Sequence, residues 1–236
     1  MLKSDSNARY QKVPNLINPC SLFIVLCSLF TVHCSLSPLT IPYFRVMQTK
    51  EAILQLLDQY QLHFPDEAEG INAFQHFLSS HDSEQLYSRK NFNGHITASA
   101  FILNETLDSV LLLNHKKLNR WLQPGGHIDD ADSSLMAAAL RETEEETGLN
   151  SREINVIHTH DDNSIFDIDS HLIPANINKS EPAHVHHDLR FLFKCLQPGL
   201  ININMMESTD FKWVSLTELC NDLTFGMVAH KIIRLV

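Results

Sequence analysis

From residue 47 onward the spacing of apolar and polar positions changes period several times, and each change predicts an element. Residues 50–63 place Ile53, Leu54 and Leu57 at helical intervals. After Phe64-Pro65 the pattern resumes over 66–79, with Asp66 as a cap. Asn93-Gly94 marks a turn, and the chain then switches to apolar runs of strand length at 96–103, 110–114 and 120–122. The first two are joined by the polar turn 104–108. Helical spacing returns at 134–147. Strands follow at 154–158, 165–173 and 186–196, with a short one at 212–214, and helices close the chain at 216–221 and 224–234. This order predicts a mixed β-sheet between helical layers, an α/β/α sandwich preceded by a short helical extension. The expected divisions are 1–46, a helical extension at 47–92 and a main domain at 93–236.

Residues 1–46 differ in character. Leu22 to Val32 is an uncharged apolar run with Lys3, Arg9 and Lys12 before it. Its length suits the apolar core of a signal peptide, whereas a membrane span needs roughly 18–20 residues and would have to run on to Leu39. Three readings stay open: translation starting at Met47, a signal or membrane anchor, and ordinary structure. The amphipathic pattern that begins at once after Met47 favours the first, and with it a cytoplasmic protein. A start at Met1 implies anchoring or export, so a membrane partner depends on residues 22–39.

Composition narrows the function classes. The formal charge is −10, and the first 46 residues hold four basic side chains against Asp5 alone. That leaves 14 basic and 27 acidic side chains, net −13, in the rest. Such a surface argues against a nucleic-acid polymer as partner, since phosphate backbones bind basic surfaces. Cys20, Cys27 and Cys34 lie in the doubtful segment; Cys195 and Cys220 remain, with no paired spacing that suggests zinc or a disulfide framework. Cys195, in an apolar strand, reads as a small buried hydrophobe. Oligomeric state is not legible, and a homodimer is the default expectation.

The chemistry concentrates between 125 and 149. Glu142, Glu145 and Glu146 fall at i, i+3 and i+4, so on a helix three carboxylates share one face. Like charges so placed repel unless something positive sits among them, and a hard divalent cation with oxygen ligands answers that need. Met136, Leu140, Thr143 and Thr147 form an opposite stripe that predicts a docking face. Ser133 or Ser134 is the predicted cap, and Gly148 suits the left-handed residue that ends a helix. Arg141, one turn before Glu145, is placed to pair with it and fix its rotamer. Upstream, Pro124-Gly125-Gly126 predicts a turn whose carbonyls reach the ion.

This stretch resembles the Nudix box, G-x5-E-x7-R-E-U-x-E-E-x-G-U, where U is a bulky aliphatic residue. Arg141, Glu142, Glu145, Glu146, Gly148 and Leu149 match in order, while Thr143 stands at a U position. The front half is one residue longer: counting forward from Gly126 puts Asp132 at the first acidic position, and counting back from Arg141 puts Ser133 there. Trp121 to Gly126, Pro182 to Phe193 and Glu207 to Val214 are also similar to strands of Nudix hydrolases, so the likeness covers about 93–236.

The resemblance implies a Nudix-type sandwich and hydrolysis of the diphosphate linkage in a nucleoside diphosphate derivative or similar small molecule. Mg²⁺ is the implied cofactor, with Mn²⁺ as a substitute. Glu142, Glu145 and Glu146 are the expected metal ligands, together with a carbonyl of Gly126 or Gly125. Arg141 orients Glu145. The general base is Glu142 or a later acid, of which Glu207 leads. Arg190 and His127 are candidates for substrate contact. A non-hydrolytic module of the same fold that senses a nucleotide metabolite is the main rival, and other chemistry on the same fold is a second. Trp121 and Trp213 read as core before stacking platforms. His184 and His186 share one strand face and, with His187, His158 and His160, are candidates for substrate contact or a transition-metal site; sequence alone places no further ligand.

Overall fold

In a computed structural model of the protein, residues 49–157 and 165–236 are described. The apolar run at 22–32, His158 and His160 lie outside them. Among the described residues no helix is long and apolar enough to cross a membrane.

Two helices lead, α1 (Lys50–His63) and α2 (Ala68–Ser80), separated by a 3₁₀ turn at Pro65–Glu67. A short α3 (Ser83–Leu86) follows, which periodicity did not predict. Its signal was local: Asp82 and Gln85 form a reciprocal capping box. Strands β1 (His95–Leu103), β2 (Ser109–His115), β3 (Arg120–Leu122) and β4 (Gly125–His127) precede the box helix, α4 (Leu135–Thr147). After it come β5 (Ile154–Val156), β6 (Asp167–Ile173), β7 (His184–Cys195), β8 (Ser208–Ser215), α5 (Leu216–Leu219) and α6 (Gly226–Leu235).

The sheet is mixed. β1 and β7 run parallel at its centre, paired from His95↔His186 to Leu103↔Lys194. The other pairings are antiparallel: β4 and β2 on β1, β5 and β6 on β7, β3 and β8 on β2. Two predicted elements differ. Pro124-Gly125-Gly126 is not a free turn, because Gly125 and Gly126 form β4 against Ser99 and Ala98. The last strand spans eight residues rather than three, because β2 offers a long edge that low local hydrophobicity had hidden.

Residues on β1 alternate between two cores. Ile96, Ala98, Ala100 and Ile102 face the layer containing Leu135, Ala138 and Ala139 of α4. Phe101 and Leu103 face Phe225, Val228 and Ile232 around α6. The helical extension is built into the same body: Ile53, Leu57, Phe74 and Phe77 are buried in the α4-side core. Lys231 of α6 is buried between Glu67, Asp167 and the hydroxyl of Tyr60, joining extension, sheet edge and final helix. A buried ammonium needs such partners to remain charged.

Helix α4 docks through Leu135, Ala138, Ala139, Thr143 and Thr147, with Met136 and Leu140 at the margin. The docking face is therefore rotated from the predicted stripe. Alanines at 138 and 139 let the helix axis come close to β1; a larger residue there would overpack the contact at a cost of about 1–3 kcal/mol.

Candidate active site

Ser134 caps α4, its Oγ accepting from the Ala137 amide at 3.1 Å. Gly148 ends it in the left-handed conformation, φ 73°, as predicted. The helix's last carbonyls are not left to solvent. Asn204 N–H donates to the Glu146 carbonyl at 2.9 Å and Asn202 N–H to that of Thr147 at 2.8 Å. The segment that does this runs directly into Glu207, whose carbonyl accepts from the Lys116 amide at 2.7 Å. The end of the box helix thus anchors the loop that carries the later acid.

The three box carboxylates have different surroundings. Glu146 is buried on the sheet side, its Oε1 3.4 Å from the Gly125 amide. Glu142 is half-buried with its carboxylate against Gly126, where a Cβ would come within 2.6 Å of Oε1. Glu145 is exposed and takes a bond from Arg141 Nη1 at 3.2 Å. The strand beside them also requires glycine, because a Cβ on Gly125 would lie 2.2 Å from that of Ser99.

Arg141 touches more than its predicted partner. Besides Glu145 it donates to Glu142 at 3.0 Å and to the His127 carbonyl at 2.8 Å. Its main hold is Asp132, which receives Nε at 3.0 Å and Nη2 at 2.9 Å. Asp132 is buried and its Oδ2 also accepts from the Asp129 amide at 2.7 Å, whereas Ser133 is exposed. The outlying acidic role therefore falls to Asp132, and the extra residue is absorbed between it and the Ser134 cap. Asp132's hydrogen bonds lead the causes that drive the Arg141 pKa upward.

Burial raises the Glu142 carboxyl to about 7 and the Glu146 carboxyl to about 8; charge on Glu145 and Glu207 pushes both further in the same direction. Arg141 opposes the shift at Glu142, and the Gly125 amide opposes it at Glu146. Four carboxylates within mutual electrostatic reach, two of them poorly solvated, form a donor set suited to a hard divalent cation.

The remaining expected residues are placed differently. Arg190 lies on the sheet face away from α4, its guanidinium 5.7 Å from the Phe101 ring. It is held by Asp167 at 3.0 Å, Asp169 at 2.6 Å and Asp188 at 3.1 Å. Every nitrogen is engaged with a carboxylate of the sheet, which leaves it a positioning residue rather than a free phosphate fork. Asp188 in turn accepts from Thr97, Ser99 and Gln123, a buried polar network that sequence reading did not find. The His127 ring stacks on His95, and its Nδ1 accepts from Arg89 at 3.1 Å. Burial, with Arg89 beside it, lowers the His127 pKa to about 3, so the ring is neutral at pH 7.

His187 points to the α4-side core between Phe74 and Phe77, apart from His184 and His186. Trp213 packs against the α4-side core and Trp121 against the α6-side core. Lys212 lies 4.4 Å from the Trp121 ring centre. Both border a cavity of about 380 Å³ with Glu218, Asn221 and Phe225. None of its lining residues belongs to α4.

A family model described as the NUDIX domain matches residues 94–236, more than half of the chain. The chain is 29% identical over 110 residues to a probable DHNTP pyrophosphohydrolase of Lactococcus lactis, covering 47% of this chain and 60% of that protein. It is 37% identical over 54 residues to the asymmetrical bis(5'-nucleosyl)-tetraphosphatase of Mus musculus, covering 23% of this chain and 36% of that protein. In both cases the match spans less than two thirds of the relative's length. Among solved structures, a Caenorhabditis elegans Ap4A hydrolase binary complex aligns with TM-score 0.46 and 20% identity, covering 59% of this chain and 95% of that one. The Escherichia coli dihydroneopterin triphosphate pyrophosphohydrolase aligns with TM-score 0.47 and 14% identity over 59% of this chain and 95% of that one.

Proposed function

The chain belongs to the NUDIX family, and on that premise we propose that it is a Mg²⁺-dependent pyrophosphohydrolase. It cleaves the diphosphate linkage of a nucleoside diphosphate derivative or a similar small molecule. The observation that carries this reading is the seating of Glu146 and Glu142 against the Gly125-Gly126 strand, with Arg141 fixed behind them by Asp132. A polyphosphate would be repelled by these acids alone, so the same carboxylates must hold a cation if they are to bring substrate close.

Glu142, Glu145, Glu146 and the Gly126 carbonyl are the proposed ligands of Mg²⁺, with Mn²⁺ as a substitute. The ion would supply charge neutralisation at the phosphoryl oxygens and a water of lowered pKa. Arg141 keeps Glu142 and Glu145 turned toward the site by donating to both. Glu207, exposed at the end of the loop tied to α4, takes the proton of the attacking water. Arg190 and His127 set the shape of the sheet face instead of donating to phosphate. The tetraphosphatase relatives place nucleoside polyphosphates first among substrates to try.

The test uses the full chain, wild type beside Glu146→Gln, with Mg²⁺, a chelator control and a panel of nucleoside polyphosphates, nucleotide sugars and pterin phosphates. Chromatography should show metal-dependent release of two phosphorylated products by wild type. The variant should be slower by about 10²- to 10⁴-fold, the worth of several kcal/mol in the transition state. Near-wild-type turnover by a variant with an unchanged circular dichroism spectrum would overturn the assignment. Binding of one compound without cleavage would shift the reading to a metabolite sensor.

A further inference from the structure

We propose that His95, His184 and His186 form a second metal site, selective for a divalent transition ion of the zinc class and distinct from the carboxylate site on α4. The three side chains share the sheet face away from α4. His95 and His186 are direct partners in the parallel β1–β7 pair, and His184 precedes His186 by one same-face step. Ring centres are 4.5 Å apart for His95 and His186, and 5.1 Å for each of the other two pairs. One ligand nitrogen from each lies within 4.8 Å of the others. Among the described residues this is the one group of three or more such donors that converges so closely.

The finer geometry fits coordination. His184 Nε2 and His186 Nε2 are 3.2 Å apart. Two nitrogens bound at 2.0–2.1 Å to a tetrahedral zinc ion sit about 3.3–3.4 Å from each other. Tautomers are fixed by the outer contacts. His184 Nδ1 lies 2.8 Å from the Pro182 carbonyl, and His95 Nδ1 lies 3.3 Å from the Asn91 carbonyl. A carbonyl only accepts, so both rings carry the proton on Nδ1 and present a lone pair at Nε2. That arrangement, a backbone carbonyl behind each ring, is how metal-bound histidines are oriented.

His95 adds an independent sign. It is 1% exposed, and its Nε2 is buried with no hydrogen-bond partner. A buried lone pair without a partner is unfavourable, and a cation at the centre of the trio would satisfy it. Burial keeps His95 and His186 neutral at pH 7, the form that coordinates. Arg89, paired with His127, repels charge at the site while Glu181 attracts it, and the His127 and His171 rings stand 5.1 and 5.8 Å from that of His186. Imidazole donors favour zinc, cobalt, nickel or copper over magnesium, so the two sites select different ions. Three protein ligands leave a coordination position open to water.

Cobalt(II) is the probe, because its visible absorption reports nitrogen coordination directly. The full chain, stripped of metal by a chelator, is titrated with Co²⁺ in excess Mg²⁺, beside Glu146→Gln, His186→Asn and His184→Asn. One Co²⁺ should bind per chain with d–d bands of low coordination number in wild type and in Glu146→Gln. Each histidine variant should weaken it by more than the roughly 10- to 100-fold that outer-shell changes cost. Thermal unfolding of wild type should shift upward with Co²⁺ in the presence of Mg²⁺. Co²⁺ that Mg²⁺ displaces, or that is lost in Glu146→Gln and retained in the histidine variants, would overturn the proposal. So would the absence of Co²⁺ binding by wild type, a result that needs no variant to fold. Hydrolysis is not read in this experiment, so its outcome is independent of the proposed activity.

Discussion

Asp132 grips Arg141 along one edge of its guanidinium, Oδ1 on Nε at 3.0 Å and Oδ2 on Nη2 at 2.9 Å. The pairing spans the loop that is one residue longer than the family pattern, and it leaves Nη1 free to serve Glu142 and Glu145. Arg141 therefore transmits the position of a buried aspartate to two proposed metal ligands.

Replacing Asp132 with Ala should release that edge. We expect a loss of about 1–3 kcal/mol in stability from the unpaired charge-assisted bonds. The Mg²⁺ concentration needed for half-maximal rate should rise with it. Ser133→Ala, one residue on and exposed, should stay within about 0.5 kcal/mol and keep wild-type metal dependence. Urea titration and metal titration of the two variants check both; equal effects would mean that Asp132 does not occupy the acidic position.

Glu207→Gln should separate base catalysis from metal binding. If Glu207 accepts the proton, the turnover rate falls by roughly 10²- to 10⁴-fold, while the Mg²⁺ dependence stays near wild type. A large change in metal affinity with little change in maximal rate would make Glu207 a metal ligand instead.

The raised carboxyls give the metal-free protein a defined pH response. Unfolded, Glu142 and Glu146 titrate at the model value of 4.5; folded, at about 7 and about 8. Their protonated forms suit the fold, so stability is full below about pH 4.5 and is lost as pH rises through 7 and 8. The loss approaches roughly 1.4 kcal/mol per pH unit for each group. Chelated protein should show a falling thermal midpoint across that window, and saturating Mg²⁺ should flatten it by pairing the ionised acids. A flat midpoint without metal would contradict the burial that raises them.

Gly125→Ala should damage the site through the sheet. Its methyl would strike Ser99 and force β4 away from β1. A loss of about 1–3 kcal/mol is expected from the overpacked contact, along with reduced turnover as the Glu146 seat moves. Unfolding in urea and steady-state rates measure the two effects; wild-type values for both would show that β4 yields without consequence.

Most of the architecture was legible because helices and strands announce themselves by period. The box helix was legible at both ends, since caps and stops are local chemistry at Ser134 and Gly148. Its three glutamates share a face by geometry alone. The last strand was read short, because its edge pairing with β2 does not require an apolar sequence.

What the sequence could not carry were relationships between distant positions. That Glu146 is buried and Glu145 exposed depends on how α4 rolls onto β1, which Ala138 and Ala139 decide by allowing close approach. Asp132 rather than Ser133 meets Arg141 because the loop packs that way, and counting from either end gave a different answer. Arg190 faces three aspartates, and His95 meets His186, because β1 and β7 lie parallel in one register. Parallel neighbours sit far apart in the chain, so no window of residues records them. Local spacing determined which side chains could do chemistry; the packing of helix and sheet decided which of them meet.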